Sequence, residues 1–271
     1  MNMNKFFAGC DVGSTTGKAI ILDEDGNIVA SAIVESQIVP ELTARNALGA
    51  AIAQVEGLNA VEECAGIVGT GYGRNEVPFA DENISEISCH AKGAHYVDPT
   101  IRTIIDIGGQ DIKTIALDDQ GGVLEFSMND KCAAGTGSFF QVMSRVFKMS
   151  LDEFSLLSLT AQKSISVSAQ CSVFAETEVI SMLAKNYSPA DIAAGIQASV
   201  AKRCFGLLKR VGTRDRIVIS GGCAKNKGLI KALEKLLRVE VLPLETDPQL
   251  MGALGAAVFA YKNAQVEAKV A

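Results

Sequence analysis

Short apolar runs separated by small polar turns occupy the beginning of the chain. Residues 6–12 are mostly apolar, a Gly/Ser/Thr-rich turn follows at 13–16, and a second apolar run covers 19–22. Asp25-Gly26-Asn27 then marks another turn before a further apolar run. Short apolar runs joined by Gly, Asn and Asp turns are typical of β-hairpins. The pattern therefore predicts a strand, a tight turn, a second strand and, after Asn27, a third.

Longer stretches with apolar residues three or four positions apart predict helices over 42–56, 85–96, 189–208 and 249–261. Compact apolar runs predict strands at the start of 66–74, twice within 103–117, at 216–220 and at 239–243. Asp98-Pro99 is a linker signal, because the residue before a proline is pushed towards extended backbone. Strands mixed with helices in this way indicate the α/β class.

The first hairpin pattern recurs. Residues 7–21 and 103–117 both contain an extended run, an Asp-hydrophobe-Gly step, a polar turn, a lysine and a second extended run. Asp11 and Asp106 are 95 positions apart, roughly the size of one small α/β domain. The repetition indicates an internal duplication, and two such hairpins facing each other would hold a nucleotide's phosphates from both sides.

The turn of the first hairpin is suited to phosphate. Gly13 lets the backbone approach closely, Ser14 and Thr15 offer hydroxyl and N–H groups, and Lys18 adds a positive charge. The Asp11 carboxylate and a phosphate are both negatively charged, so Asp11 does not bind phosphate itself. Its natural partner is a hydrated Mg²⁺ ion. A plain β-hairpin is the alternative interpretation of this unit. Later in the chain, Gly221-Gly222 follows a predicted strand and would admit a flat ring or a phosphate, or form a simple strand-to-helix turn.

The amino-acid composition and net charge argue against some classes of binding partner. The 271 residues are 48% hydrophobic with a net charge of -6, and the mean hydropathy is +0.22 with a pI near 5.1. This composition predicts a compact globular protein and argues against nucleic acid or an anionic membrane as partner. The longest strongly apolar window, 252–261, is short of the roughly 20 residues that a membrane span needs. A cytoplasmic location is expected.

The cysteine pattern argues against a disulfide framework. There are seven, without C-x-x-C spacing, and only two histidines, which disfavours a self-contained zinc site or imidazole-based catalysis. Cys89 and His90 fall on a helix with an apolar stripe, so both are predicted to be packing residues. The cysteines are Cys10, Cys64, Cys89, Cys132, Cys171, Cys204 and Cys223.

Cys132 and Cys171 occupy matching contexts. Cys132 lies between the end of an extended segment and the start of a helix; Cys171 follows the alternating Ile-Ser-Val-Ser run and precedes a helix, from Phe174, with acids in its first turn. Free N–H groups and the helix dipole at a helix start stabilise a thiolate or an anionic cluster. A small buried hydrophobe is the ordinary alternative for a single cysteine.

These hairpins and the later Ser-Gly-Gly resemble the actin, hexokinase and acetate kinase class of ATPases. Five segments narrow the resemblance to the activator components of 2-hydroxyacyl-CoA dehydratases, a family that also takes in ATP-binding subunits of benzoyl-CoA reductase and reductases of double-cubane cluster proteins. The segments are 70–74, 106–113, 128–137, 171–176 and 252–257.

The resemblance implies a duplicated fold with two lobes around a nucleotide cleft, the first formed by 1–98 and 248–271 and the second by 99–247. It implies a homodimeric ATPase that holds one 4Fe-4S cluster between its subunits, with Cys132 and Cys171 of each as ligands. Two thiolates from each chain make the four that a cubane cluster needs. Electrons would come from a ferredoxin or flavodoxin and pass to an iron-sulfur dehydratase or a double-cubane cluster protein.

Roles follow by the same resemblance. Asp11 and Asp106 are assigned to Mg²⁺ and the attacking water, with Gln110 completing the catalytic set, and Glu176 either senses the nucleotide or is an ordinary first-turn acid. The residues expected to contact ATP are Gly13, Ser14, Thr15, Lys18, Gly108, Gly109, Gly221 and Gly222.

Three departures from the family pattern leave the acceptor open: Ser14-Thr-Thr-Gly-Lys18, Ser138, and the loop that begins at Ser36. One rival hypothesis is a small-molecule phosphotransferase of the same fold whose cysteines are structural. Another is a nucleotide-binding regulator that does not hydrolyse ATP.

Overall fold

The computed structural model describes residues 5–129, 135–167 and 171–270. Cys132 lies outside these residues. Contacts group the chain into two compact units: Met1–Ile101, Leu117–Leu124 and Leu244–Ala271 form one, and Arg102–Ala116 and Glu125–Pro243 form the other.

In chain order, the strands are β1 (Phe7–Val12), β2 (Thr16–Leu22), β3 (Ile28–Glu35), β4 (Gly66–Thr70), β5 (Glu82–Asn83), β6 (Thr103–Ile107), β7 (Ile112–Leu117), β8 (Val123–Asn129) and β9 (Ile217–Ser220). The α-helices are α1 (Pro40–Ile52), α2 (Glu86–Val97), α3 (Gly137–Phe147), α4 (Leu151–Leu159), α5 (Ser172–Ala184), α6 (Pro189–Val211), α7 (Lys227–Leu237) and α8 (Met251–Val270). None of the helices in the described part of the chain is both long enough and apolar enough to cross a bilayer.

The two sheets repeat one plan. The first has the order β3-β2-β1-β4-β5 and the second β8-β7-β6-β9. In each, the aspartate-bearing strand pairs antiparallel with the strand after its turn and parallel with a strand much later in the sequence: β1 with β2 and β4, β6 with β7 and β9. The α/β class and the internal duplication predicted from the sequence are confirmed.

Helix α8 packs directly on β1 because Gly9 has no side chain. A Cβ at Gly9 would overlap the backbone at Ala253 and Ala257. The strand is correspondingly buried along its whole length. The Gly/Ala-rich sequence of α8 therefore permits a backbone-to-backbone approach that a helix with large side chains would prevent.

Helix α6 forms the core of the second unit. Pro189 takes its first turn, where no N–H is needed, and the Ser188 side chain accepts a hydrogen bond from the Asp191 N–H. Its apolar face, at the predicted helical spacing, is buried with the strands and α3. The apolar face includes Ile192, Ile196, Val200, Cys204 and Leu207.

One predicted strand is absent as such from the described structure, and one alternating run forms no strand within its described part. Residues 239–243 make a single bridge, Val218 to Leu242, and no strand; Pro243 lacks the N–H that would continue a ladder. The alternating run after Ser164 is not a strand over its described residues, because its backbone bonds to α6 instead, with the Ile165 N–H donating to the Asp191 carbonyl at 3.0 Å.

Helix boundaries bring two further corrections. Helix α5 begins at Ser172, so Glu176 lies beyond its first turn and the first-turn acid interpretation is wrong. Helix α4 was not predicted, although Ser150 and Glu153 form a capping box at its start. That Ser-x-x-Glu spacing is the signal that would have located it.

Candidate functional site

The first aspartate hairpin places a buried carboxylate opposite a lysine. Asp11 and Lys18 are register partners across β1 and β2, and Lys18 Nζ lies 3.3 Å from Asp11 Oδ2. Asp11 is only 5% exposed. The Gly13 N–H donates to the Thr16 carbonyl at 3.2 Å, which closes the turn and fixes this register.

The turn keeps its outer side open. Ser14 and Thr15 are exposed. Ser36 binds the backbone carbonyls of this turn. Its hydroxyl donates to the Gly13 carbonyl at 2.8 Å, and its N–H donates to the Thr15 carbonyl at 3.0 Å. Ser36 belongs to the loop that departs from the family pattern. These two hydrogen bonds hold the turn in place through its carbonyl groups. The hydroxyl-bearing side chains of the turn remain exposed to solvent, as phosphate binding requires.

Two glycines, Gly71 and Gly252, lie next to the Asp11 carboxylate. A Cβ at Gly71, whose φ is +92°, would collide with Asp11 Oδ1, and a Cβ at Gly252 would lie 2.9 Å from Asp11 Oδ2 and 3.0 Å from His90 Nε2. His90 is 6% exposed. The sequence predicted a packing residue at His90, and its side chain is buried on α2, beside the same glycine as the Asp11 carboxylate.

The second hairpin repeats the pairing with additional contacts. Lys113 Nζ lies 3.4 Å from Asp106 Oδ2 and 2.6 Å from Asp111 Oδ2. The Ser220 hydroxyl donates to Asp106 Oδ1 at 2.8 Å. Asp106 and Lys113 are 3% and 5% exposed. Neither Asp111 nor Ser220 was singled out from the sequence as a partner of this carboxylate.

The two halves also share a second feature that the sequence analysis missed. Thr70 is the register partner of Asp11, and Ser220 is the register partner of Asp106. A glycine with positive φ follows each: Gly71 at +92° and Gly221 at +81°. Each glycine places backbone beside its aspartate, where a Cβ would collide. The repeated signal was a hydroxyl residue followed by glycine at the end of an apolar run.

The loop after β6 is bonded to the start of α3. The Gly108 carbonyl accepts from the Gly137 N–H at 2.9 Å. The Gly109 carbonyl accepts from the Ser138 N–H at 2.9 Å and from the hydroxyls of Thr136 at 2.8 Å and Ser138 at 2.6 Å. The Gly108-Gly109 loop, which is predicted to contact ATP and is called the phosphate loop below, is therefore hydrogen-bonded to the segment shortly after Cys132.

Other predicted nucleotide residues are accessible. Gln110 and Gly222 are exposed, and Gly221 is half-buried. Gly221 follows β9 and lies against Asp106 and the Ile107 carbonyl, so it adjoins the second carboxylate. Glu176 is half-buried in α5.

Cys171 differs from the other described cysteines in its exposure. It is exposed at the N-cap of α5. Burial raises the pKa of the Cys89, Cys204 and Cys223 thiols to about 12, and burial likewise raises the pKa of Cys10 and that of Cys64 to about 11. These thiols are held in the neutral form, so Cys171 is the described cysteine best suited to bind metal.

Apolar side chains surround Cys171 in sequence. Val173 and Phe174, in the first turn of α5, are 66% and 70% exposed, and Ile180 further along is 51% exposed. Exposed apolar groups close together on one helix are typical of an interaction surface. Among the described residues, no three His, Cys, Asp or Glu side chains lie close enough to share a metal ion.

Known proteins resemble this chain in sequence and in structure. Residues 8–260 match the BadF/BadG/BcrA/BcrD ATPase family. The chain is 48% identical over 257 residues to the activator of lactoyl-CoA dehydratase of Anaerotignum propionicum, covering 95% of this chain and 98% of that protein. It is 43% identical to the activator of the 2-hydroxyisocaproyl-CoA dehydratase from Clostridium difficile, solved with bound ADPNP, with a TM-score of 0.91 and 98% of each chain covered.

A distant structure has the same fold. A ROK family glucokinase from Streptomyces griseus is 14% identical, with a TM-score of 0.56 and coverage of 95% of this chain and 99% of that one. The duplicated actin- and hexokinase-like fold predicted from the sequence is therefore confirmed, and the chain belongs to the BadF/BadG/BcrA/BcrD ATPase family.

Proposed function

We propose that this chain is an ATP-dependent activator that donates single electrons to an iron-sulfur partner, either a 2-hydroxyacyl-CoA dehydratase or a double-cubane cluster protein. It would act as a homodimer that shares one 4Fe-4S cluster and accepts electrons from a ferredoxin or flavodoxin. Family membership and the relatives' roles as dehydratase activators support the activator role. The contact between the Gly108-Gly109 loop and the start of α3 is the observation that carries the proposal.

ATP would be held by the two aspartate hairpins. Asp11 and Asp106 are buried carboxylates with a lysine opposite each, and hydrated Mg²⁺ is the cation suited to such oxygens beside phosphate. Lys18 would shift towards a phosphate oxygen when the triphosphate binds. Ser14 and Thr15 would donate to the phosphates, because the turn that carries them is already braced from behind by Ser36.

The exposure of one cysteine supports the proposed cluster. A ligand of a cluster shared between two subunits must be a thiolate that is accessible to the second chain, and Cys171 is exposed at a helix N-terminus. Cys132 is proposed as the second ligand from its sequence context. When bound, a 4Fe-4S cluster supplies one-electron chemistry at low potential. Exposed Val173 and Phe174 support a subunit interface beside Cys171.

The link between nucleotide and cysteine segments is short. Four hydrogen bonds join Gly108 and Gly109 to residues 136–138, and Cys132 precedes Thr136 by only four positions. A phosphate that draws the loop towards itself would pull on these bonds and displace the start of α3. Nucleotide binding would thereby change how the Cys132 segment is presented to a second subunit and to the acceptor.

Anaerobic purification tests the proposal. The native protein should be brown, with about four irons per dimer. Cys171→Ser should lose the iron, whereas Cys64→Ser should keep it, because Cys64 is half-buried with a raised thiol pKa. A colourless protein that phosphorylates a small molecule would establish the phosphotransferase alternative instead.

Electron donation has its own measurement. The reduced protein, mixed with a 2-hydroxyacyl-CoA dehydratase or with a double-cubane cluster protein, should reduce that acceptor only when ATP is hydrolysed. Electron paramagnetic resonance of the acceptor would report the transfer. Reduction that is equally fast with ADP would contradict the proposed role of the nucleotide.

A further inference from the structure

A cavity of about 840 Å³ lies in the second unit, lined by residues of α4, α6 and α7 and of the segment 158–167. Pockets for small organic ligands span roughly 300–1,000 Å³. This volume is far more than a single inorganic ion needs and fits a molecule with several functional groups. Among the described residues, none of those assigned above to ATP or to the cluster lines it.

The lining is positively charged. Over the described residues it contains no aspartate or glutamate and five cationic side chains, which are Lys163, Lys202, Arg203, Lys231 and Lys235. The whole chain carries a net charge of -6, so the lining opposes the overall charge. Such a concentration of lysine and arginine favours an anion, and phosphate oxygens are a preferred partner of both.

Gln197 supplies a polar group at the cavity wall. This side chain is 1% exposed, and neither its amide nitrogen nor its amide oxygen has a hydrogen-bond partner within the described chain. A buried amide without hydrogen-bond partners lowers the stability of the folded chain. A ligand that hydrogen-bonds to this amide would therefore bind more tightly than one that does not. Gly228 packs closely beside this amide, since a Cβ there would lie 3.0 Å from Gln197 Nε2 and would overlap the Ser158 hydroxyl.

The wall around Gln197 is firmly built. Asp191 Oδ1 accepts hydrogen bonds from the N–H groups of Gln162 at 2.9 Å and Lys163 at 3.2 Å, which fix the loop segment against α6. On the opposite side, the Gly228 N–H donates to the Ser155 hydroxyl at 3.1 Å and joins α7 to α4. The cavity is therefore bounded by elements that are hydrogen-bonded to one another.

We propose that this cavity binds a phosphorylated small organic molecule, at a site separate from the ATP held by the aspartate hairpins. The exposed lysines of the lining, such as Lys202 and Lys235, hold the phosphate. The Gln197 amide hydrogen-bonds to phosphate oxygens or to an uncharged polar group of the ligand.

Calorimetric titration with pyrophosphate tests the site in protein first saturated with ADPNP and Mg²⁺. We expect one pyrophosphate per chain, with affinity that falls as salt is raised. Lys202→Ala should weaken binding about fivefold to tenfold, because it removes one charge from the cavity. Lys209→Ala removes the same charge from an exposed position of the same helix outside the cavity and should change affinity less than twofold.

Gln197 variants provide a second arm. Gln197→Glu should weaken pyrophosphate binding more than tenfold by placing a carboxylate at the wall, and Gln197→Met should weaken it with a melting temperature at least as high as the native one. An equal loss in Lys202→Ala and Lys209→Ala, or native affinity in both Gln197 variants, would overturn the proposal.

Competition decides whether the site is separate. Binding of pyrophosphate only in the absence of ADPNP would mean that the cavity is part of the nucleotide site, and the proposal would be wrong. A chain that does not bind ADPNP at all would refute the proposed ATPase function instead. The comparison of Lys202→Ala with Lys209→Ala would then still test the cavity.

Discussion

Ser220 and Asp106 are 114 positions apart in the chain and share a hydrogen bond of 2.8 Å, with the Ser220 hydroxyl donating to Asp106 Oδ1. They are register partners on the parallel strands β6 and β9. Both side chains are almost completely buried. The bond orients a carboxylate that also faces Lys113, so a serine at the end of one strand determines how the aspartate at the end of another presents its oxygens.

Ser220→Ala should lower the free energy of unfolding by about 1–3 kcal/mol, because a buried carboxylate loses a hydrogen bond. Urea unfolding followed by circular dichroism measures the change. Ser199→Ala is the matched control, since the Ser199 hydroxyl bonds to a carbonyl of its own helix, and it should shift stability by less than about 0.5 kcal/mol. Equal effects in the two variants would show that Ser220 does not stabilise Asp106.

Asp11→Asn should reduce ATP hydrolysis at least 100-fold, as expected for a carboxylate that positions Mg²⁺ and the attacking water. The amide keeps the shape of the side chain, so the far-ultraviolet circular dichroism should stay native. Phosphate release measures the rate. Asp25→Asn, in the exposed turn before β3, should hydrolyse ATP at the native rate. Native activity in Asp11→Asn would remove Asp11 from the catalytic set.

Ser138→Ala should separate hydrolysis from cluster control. The variant loses the 2.6 Å bond from the Ser138 hydroxyl to the Gly109 carbonyl, while the aspartate hairpins are unchanged. We expect ATP hydrolysis within threefold of native. The difference in iron-chelation rate between the ADP-bound and ADPNP-bound protein should shrink.

The control for this prediction lies on the same helix. The Ser144 hydroxyl bonds to the Gln141 carbonyl, away from the phosphate loop. Ser144→Ala should therefore keep the native dependence of chelation on nucleotide. Identical chelation rates for ADP and ADPNP in the native protein itself would refute nucleotide gating altogether.

Stability should fall as the pH rises above 9, because burial raises the pKa of the Cys204 thiol from 9.0 to about 12. Between those values the unfolded chain loses this proton and the folded chain keeps it, so the unfolded state binds fewer protons and becomes favoured. One such thiol contributes a slope of up to about 1.4 kcal/mol per pH unit.

Urea unfolding of the native protein and Cys204→Ala at pH 8 and pH 10 measures this contribution. The variant should be less stable at pH 8, because it leaves a small cavity. The difference between the two proteins should narrow at pH 10, because alanine has no proton to lose. A difference that stays constant would mean that the Cys204 thiol does not titrate differently in the two states.

The sequence determined the local parts of the site. The Asp-hydrophobe-Gly turns, the lysines seven positions after each aspartate and the glycines after β4 and β9 are local patterns, and local patterns fix hairpins and turn geometry. The duplication was visible for the same reason, since Asp11 and Asp106 stand in matching short segments. The cluster roles of Cys132 and Cys171 remain predictions from sequence and resemblance, although the exposure of Cys171 agrees with one of them.

Tertiary structure decided what those parts contact. The bond from Ser220 to Asp106, the position of His90 beside Asp11 and the burial of the Gln197 amide without a partner among the described residues depend on strands and helices meeting from distant parts of the chain. The same is true of residues 239–243, whose apolar run predicted a strand while only one bridge forms. The spacing of hydrophobic residues predicts which face of a helix or strand is buried. Which other element covers that face is determined only by tertiary packing.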